Sequence, residues 1–243
     1  MKLYLGFDDT DALGAQIDTG RLAGLFAERP FDGCRLWGVV RQQLLLNDQI
    51  PFTSQNSAAC VVMETENESS IPALISGLIE RASTHIEELA SPGSAPGLCV
   101  VRGDADVSQL MAFGQSCALS VESLGAAREA AARAGAHLSG QAGLIGAAAA
   151  VGLTLYGWSG RLLDYGDLRA MPDPISVGQL RALGVRAVAI DRSAKNLPPE
   201  TLIHAGGGLS PRLWGGEPAA LVRFARDRCV PIGKRPRDAK FAE

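Results

Sequence analysis

The sequence predicts an α+β fold, with a ferredoxin-like βαββαβ first unit and a second α+β unit packed on it. Over the first hundred residues, short apolar runs of strand length alternate with two longer segments of helical periodicity. The second half contains a helix of small residues, followed by short strand-like runs between glycines. With 243 residues the chain is long enough for one large core or two smaller ones.

Six segments in chain order predict the first unit. They are KLYLGF (2–7), DTGRLAGLFAER (18–29), CRLWGVVR (34–41), AACVVMET (58–65), SSIPALISGLIERASTHIEEL (69–89) and PGLCVVR (96–102). The second and fifth have helical spacing, and in the fifth Ile75, Leu78 and Ile79 share one face. The others are apolar runs of strand length. The order β-α-β-β-α-β is the split βαβ, or ferredoxin-like, plan.

The remaining segments are less regular. Residues 42–57 form a polar connection too long for a tight hairpin, which predicts a functional loop. Residues 106–135 have helical patterns, and the glycine-punctuated segment 137–152 leads into the small-residue helix. No repeat or low-complexity linker separates the halves. We place the domain boundary between residues 138 and 139, giving domains 1–138 and 139–243.

Composition limits the partners and the compartment. A formal net charge of −3 excludes a general attraction to nucleic acid or anionic membrane, although basic residues crowd the C-terminus. That end is interpreted as solvated, with phosphate or RNA contact as the alternative. The five cysteines include no CxxC pair, which argues against a zinc ribbon and for reduced thiols in a cytoplasmic protein. The longest apolar run is broken by glycine and does not predict a membrane span; a homo-oligomer is left open.

An acidic turn follows the first predicted strand. Asp8, Asp9 and Asp11 fall within four residues, in GFDDTD. Two unit charges about 4 Å apart repel by about 4 kcal/mol at an effective dielectric near 20, so the cluster needs solvent or a cation. Carboxylates on a turn suit Mg²⁺, which bridges one or two of them to substrate phosphates. The alternative is an acidic turn that caps the following helix.

Two glycine-rich segments are candidates for anion binding. Gly140, Gly143 and Gly146 precede or begin the small-residue helix, where free backbone N–H groups and the helix dipole favour a phosphate. Tight helix packing explains the same glycines equally well. The loop around His204 and Arg212 could also enclose an anionic ligand. His85 and His137 are interpreted as structural.

Five motifs in order resemble the archaeal tRNA(Ile) 2-agmatinylcytidine synthetase family. They are GFDDTDA (6–12), LNDQIPFTSQNS (46–57), GQAGLIGAAAAVG (140–152), RLLDYGDLR (161–169) and HAGGGLSPRLWGGE (204–217). The resemblance implies a kinase-like first domain that uses ATP and Mg²⁺ for phosphoryl transfer, joined to a ferredoxin-like domain. It implies that Asp8, Asp9 and Asp11 are catalytic and hold Mg²⁺. The nucleotide-binding residues that it implies are Gly6, Thr10, Thr19, Asn56, Gly143 and Gly146.

The chain also departs from that family. The family's Thr-Thr pair, whose first member is phosphorylated, is Asp18-Thr19 here, and two cations of the family's loop become Thr53, Ser54 and Gln55. The sequence has no counterpart of the family's OB-fold and zinc ribbon, which bind tRNA. We therefore expect a truncated homologue.

Three functions follow as hypotheses. The first is an ATP- and Mg²⁺-dependent enzyme, a kinase or an amine ligase, that acts on a small molecule. The second is a binding module that keeps the fold and binds nucleotide or another ligand without catalysis. The third is tRNA cytidine modification in which the basic C-terminus or a partner protein replaces the missing modules.

Overall fold

The fold is that of a computed structural model, which describes residues 1–50, 55–66, 70–166, 171–192, 196–206, 209–226 and 228–232. The chain divides into two compact units, Met1–Asp164 (unit 1) and Tyr165–Glu243 (unit 2). Both combine helices with sheet, and the described residues form six α-helices in all. The predicted α+β class is confirmed at this level.

The described residues of unit 1 form six antiparallel strands in the order β5-β4-β1-β3-β2-β6. Their bounds are β1 (Lys2–Asp8), β2 (Arg35–Gln43), β3 (Ser57–Glu64), β4 (Gly97–Arg102), β5 (His137–Gly140) and β6 (Arg161–Asp164). Helix α1 (Thr19–Ala27) connects β1 to β2, and helix α2 (Ile71–Leu89) connects β3 to β4. Each of these two connections therefore passes over one intervening strand of the sheet.

Helices cover both faces of this sheet. On one face, α1 and α2 pack through large apolar side chains, among them Phe26 and Leu78, which are almost fully buried. The other face is covered by α3 (Ser108–Cys117), α4 (Leu124–Arg133) and α5 (Leu144–Tyr156). Helix α5 is apolar on all sides and almost wholly buried, as the small-residue pattern predicts.

The first compact unit extends to Asp164, whereas the sequence prediction ends the first domain at residue 138. That boundary cuts β5, which pairs with β4. It also separates α5 from β1 and β4, against which the helix packs. Composition gives no sign of these contacts, because they join segments far apart in the chain.

Unit 2 has strands and a hydrophobic core of its own. Its strands are β7 (Ile175–Ser176), β8 (Arg186–Ala189), β9 (Leu202–Ile203), β10 (Arg212–Trp214), β11 (Glu217–Ala225) and β12 (Arg228–Pro231). They run in the order β10-β11-β12-β9-β7, with β8 parallel to β11. Helix α6 (Val177–Ala182) begins with a capping box between Ser176 and Gln179. Apolar residues of β7, α6, β8, β9 and β11 form the core.

In the described parts of both units, no helix combines the length and the apolar character that a membrane crossing requires.

Candidate functional site

A cleft of about 530 Å³ opens in unit 1 where β1 ends. Its walls come from the acidic turn after β1, the start of α1, the connection between β2 and β3, the loop before β4, the end of α3 and the first turn of α5. Four carboxylates line it, those of Asp8, Asp9, Asp11 and Glu122. No Lys, Arg or His side chain of the described residues lines it. The cleft is thus strongly acidic.

Glycines bring the first turn of α5 against Asp8. A Cβ added to Gly146 would lie 1.8 Å from Asp8 Oδ2, and one added to Gly143 would lie 2.7 Å from the Asp8 carbonyl oxygen. Further along, a Cβ on Gly6 would lie 2.1 Å from the Ala147 carbonyl oxygen. A larger residue at these positions would push the helix away from the strand. The glycines therefore set the distance between the Asp8 carboxylate and the start of α5.

Burial makes the carboxylate charges costly. Burial raises the pKa of Asp8 to about 8, with smaller contributions from the charges of Asp9 and Asp11. Burial also raises the pKa of Asp9, followed by the charge of Asp11, whereas a hydrogen bond from the Ala95 backbone lowers it. Asp9 has a positive φ of 51°, a conformation that aspartate tolerates better than most residues and that turns the chain after β1. A cation in the cleft would favour the ionised forms.

Threonine hydroxyls connect the acidic turn to α1. Thr19 Oγ1 donates to Asp11 Oδ1 at 3.2 Å. The same oxygen accepts from Thr10 Oγ1 at 3.0 Å and from Thr10 N at 3.4 Å. Both threonines are buried.

The donor chemistry of the cleft fits Mg²⁺, because its acidic side chains offer the hard oxygen ligands that this ion prefers. Among the described residues, however, no three His, Cys, Asp or Glu side chains converge as a ready set of metal ligands. Mg²⁺ often binds through one or two carboxylates, keeping waters and taking phosphate oxygens for the other positions. The residues present thus fit an ion held jointly with a phosphate-bearing ligand.

The predicted site residues divide into two groups. Asp8, Asp9, Asp11, Thr19, Asn56, Gly143 and Gly146 all line the cleft. Gly6 and Thr10 are buried and are not among its lining residues. Gly6 instead allows the close approach of α5. Asn56 donates from Nδ2 to the Leu45 carbonyl at 2.7 Å and so ties the two ends of the β2–β3 connection together.

The sequence predictions missed Glu122 and Cys117. Glu122 Oε1 accepts from Ser120 Oγ at 3.0 Å and also from Ser116 Oγ. Burial, followed by the charges of Glu122 and Asp8, raises the pKa of the Cys117 thiol to about 12, so this group is an inert thiol. Glu122 is an isolated acidic residue in the loop after α3, so no sequence pattern marks it as a site residue. Only the fold brings it to the cleft.

Asp18 stands apart from the cleft. Its Oδ1 accepts from Arg21 N at 2.6 Å as the N-cap of α1, and the residue is exposed. A capping role explains its identity.

The three histidines and Arg212 are not among the residues that line the cleft. His85 is buried and donates from Nε2 to the Leu22 carbonyl at 2.9 Å, while His137 pairs with Ser139. His204 belongs to unit 2. Residues 53, 54, 207 and 208 lie outside the described residues, so the predictions that involve them are not tested.

The comparisons with known proteins give a likeness of fold. No protein-family model and no curated protein matches the chain. Apo TiaS, an agmatidine synthetase that acts on an isoleucine tRNA, has a TM-score of 0.52 and 24% identity over 72% of this chain and 41% of that one. A tRNA fluorescent labeling enzyme has a TM-score of 0.53 and 24% identity over 74% and 42%. The complex of TiaS with its tRNA, AMPCPP and agmatine has a TM-score of 0.53 and 22% identity over 75% and 44%.

The chain spans about two-fifths of the length of these solved structures. At this level of identity the likeness concerns the fold. The resemblance drawn from the sequence motifs is confirmed to that extent: the chain has a TiaS-like fold over about three-quarters of its length.

Proposed function

We propose that the protein is an ATP- and Mg²⁺-dependent enzyme related to TiaS, which transfers a phosphoryl group or ligates an amine on a small-molecule substrate. One observation carries the proposal: the carboxylates of the acidic turn face a cleft against the glycine-rich start of α5. Unit 1 would then be the kinase-like domain, and β1–α1–β2–β3–α2–β4 its ferredoxin-like plan. One or two of the carboxylates of Asp8, Asp9 and Asp11 would hold the cation, and Thr19, Asn56, Gly143 and Gly146 the nucleotide.

The charge of the cleft supports a metal–nucleotide complex over a bare nucleotide. The ionised acidic groups of the lining and a triphosphate repel each other, and no cationic side chain of the described lining offsets this. A divalent cation neutralises both partners, favours the ionised form of Asp8, and is joined by the positive end of the α5 helix dipole. Phosphoryl transfer depends mainly on such positioning and neutralisation. We therefore expect nucleotide binding to require the metal.

The size of the cleft supports a small acceptor. A volume of about 530 Å³ lies in the range of sites for small ligands and cofactors. Its lining combines apolar side chains, including Leu44, Ile50 and Ile145, with the acidic groups. An amine would be attracted by Glu122 and the aspartates. TiaS itself has been solved with ATP and tRNA, and with AMPCPP and agmatine.

Calorimetric titration of the full chain with ATP, with Mg²⁺ and with EDTA, tests this proposal. We expect binding with Mg²⁺, little or none in EDTA, and at least tenfold weaker binding for Asp8→Asn, which corresponds to about 1.4 kcal/mol. Asp104→Asn is the matched control, because Asp104 is exposed and its carboxylate pairs with Arg102, away from the cleft lining. Equal affinity of the wild type and Asp8→Asn would overturn the assignment of the cleft.

A turnover assay separates the enzyme from a binding module with the same fold. The sequence supports the module through Asp18, which stands where the family is phosphorylated and serves as a helix cap. Mg²⁺-dependent release of phosphate or pyrophosphate, abolished in Asp9→Asn, is the result expected of an enzyme. Binding without release would support the module.

A second candidate function is tRNA modification, and one surface of unit 2 favours it. Side chains alternate along β11, and Ala220 and Val222 enter the core of the unit. Arg223 therefore lies on the opposite face, where the strand register also places Arg212 and Arg228. All three are exposed, and none has a carboxylate partner among the described residues. Such a face suits a phosphate backbone.

Binding of tRNA at several salt concentrations tests this second candidate. Phosphate contacts give an affinity that falls steeply with salt, and the double variant Arg223→Gln/Arg228→Gln should reduce both the affinity and its salt dependence. Arg133→Gln on α4 is the control, since Arg133 pairs with Glu129 on another surface. Absence of tRNA binding at low salt would exclude this function for the chain alone.

A further inference from the structure

The buried hydroxyl of Thr19 joins the acidic turn to the start of α1 and contacts a carboxylate that the proposed function assigns to the cation. Thr19 is the first residue of α1, is 4% exposed and lines the cleft. Its neighbour Asp18 already caps the helix. Thr19 is thus not required as the cap, and its side chain points to the turn instead of to the backbone of its own helix.

The contacts of this hydroxyl use all of its hydrogen-bonding capacity. A threonine hydroxyl has one proton to donate and can accept two hydrogen bonds. Thr10 N–H can only donate, so it occupies one acceptor position of Thr19 Oγ1, and Thr10 Oγ1 occupies the other. With both acceptor positions occupied, the hydroxyl donates its single proton to Asp11 Oδ1. The orientation of the hydroxyl is therefore fixed from three sides.

We propose that Thr19 is a positioning residue, which fixes Asp11 Oδ1 so that the carboxylate faces the cation in the cleft. This inference rests on the proposed function of the same cleft and adds the group that orients one of its ligands. Asp11 lies beyond β1, which ends at Asp8, so the regular strand geometry does not extend to it. The link to α1 supplies a restraint, since that helix is anchored by Leu22 and Phe26 in the core.

A direct measurement is the affinity for Mn²⁺, followed by the paramagnetic resonance of the free ion, in the full chain with ATP present. Thr19→Val keeps the shape of the side chain and removes the hydroxyl, so it should weaken Mn²⁺ binding about tenfold. Thr19→Ser restores the hydroxyl and should bind within about twofold of the wild type. Thr10→Val, which removes one of the two donors to Thr19, should weaken binding about threefold.

Thr154→Val is the matched control for a purely structural effect. Thr154 is also buried in unit 1, and its hydroxyl accepts from Gln42 Nε2 at 3.1 Å, but the residue does not line the cleft. This variant should lose thermal stability and keep the wild-type affinity for Mn²⁺. A structural role of Thr19 would give the same result for Thr19→Val, a lower melting temperature with unchanged affinity, and that would overturn the inference.

The outcomes distinguish this inference from the proposed function. If the wild type binds Mn²⁺ with ATP and Thr19→Val binds equally well, the positioning role is wrong and the site assignment stands. If the wild type binds neither Mn²⁺ nor ATP, the proposed function is wrong and the positioning role is wrong with it. If Thr19→Val does not fold, Thr10→Val tests the positioning role instead. An unchanged affinity for Mn²⁺ in Thr10→Val would contradict the role of the Thr10–Thr19–Asp11 hydrogen bonds.

Discussion

The two faces of the unit 1 sheet are packed in opposite ways. The face under α1 and α2 uses large side chains, with the Phe7 and Phe26 rings 5.4 Å apart. The face under α5 uses alanines and glycines, and here helix and strand approach until one methyl group at Gly6 would collide. This second face brings a helix start to Asp8. The bulky face therefore stabilises the unit, whereas the small-residue face shapes the cleft.

Removing a large buried side chain from the face under α1 and α2 should reduce stability the most. Phe26→Ala removes a ring that is 1% exposed and packs between Phe7, His85 and the Arg81 guanidinium. We expect the free energy of unfolding to fall by about 3–5 kcal/mol in urea denaturation. The affinity of the folded fraction for Mg²⁺-ATP should not change. Leu119→Ala, at a side chain that is 81% exposed, is the control and should change stability by less than about 0.5 kcal/mol.

Adding a methyl group to the small-residue face should reduce stability less than Phe26→Ala does, but it should weaken the binding of Mg²⁺-ATP. In Gly146→Ala, the new methyl group meets the Asp8 carboxylate and moves it or the helix. We expect the free energy of unfolding to fall by about 2 kcal/mol, as for other overpacked cores. We also expect at least tenfold weaker binding of Mg²⁺-ATP by calorimetry. Unchanged binding would mean that the contact between Asp8 and α5 does not matter to the ligand.

The pH dependence of stability should report on Asp8. Because its pKa is about 8 in the folded protein, above that of an unfolded aspartate, the folded state holds the proton more tightly. This stabilisation is complete below about pH 4 and is lost as the pH rises through about 8, with a slope of at most about 1.4 kcal/mol per pH unit. Asn imitates the protonated acid, so Asp8→Asn should lack this slope in EDTA. Parallel pH profiles of the two proteins would contradict the buried position of Asp8.

The smallest expected effect is a gain in stability. Gly24 lies within α1, and a Cβ there would meet nothing within 4 Å. Gly24→Ala should therefore raise the free energy of unfolding by about 0.5–1 kcal/mol through the lower backbone entropy of alanine in the unfolded chain. Binding should stay as in the wild type. The opposite signs expected for Gly24→Ala and Gly146→Ala, measured by thermal melting, sharpen the contrast between the two faces.

Local patterns were enough to predict the first part of the fold. The strands β1–β4 and the helices α1 and α2 follow from hydrophobic periodicity, which neighbouring residues determine. The extent of unit 1 did not follow, because β5 and α5 join it through contacts with β1 and β4 that composition does not record.

The candidate site was predictable where its residues are adjacent in sequence. The acidic turn and the glycines of α5 were found in this way, whereas Glu122 was not, since only the fold brings the loop after α3 to the cleft. Gly6 shows a second limit. A glycine that allows close helix packing and a glycine that leaves room for a phosphate look the same in the sequence. Only the neighbouring atom in the structure, here the Ala147 carbonyl oxygen, distinguishes the two roles.

The position of a bound divalent cation would decide whether the acidic turn of unit 1 holds a metal–nucleotide complex. Crystals of the protein grown with Mn²⁺ and a non-hydrolysable ATP analogue would locate the ion by its anomalous scattering. We expect one strong peak in the cleft, within coordination distance of a carboxylate oxygen of Asp8, Asp9 or Asp11 and of a phosphate oxygen. A peak elsewhere, or an analogue bound with the aspartates turned to solvent, would contradict it.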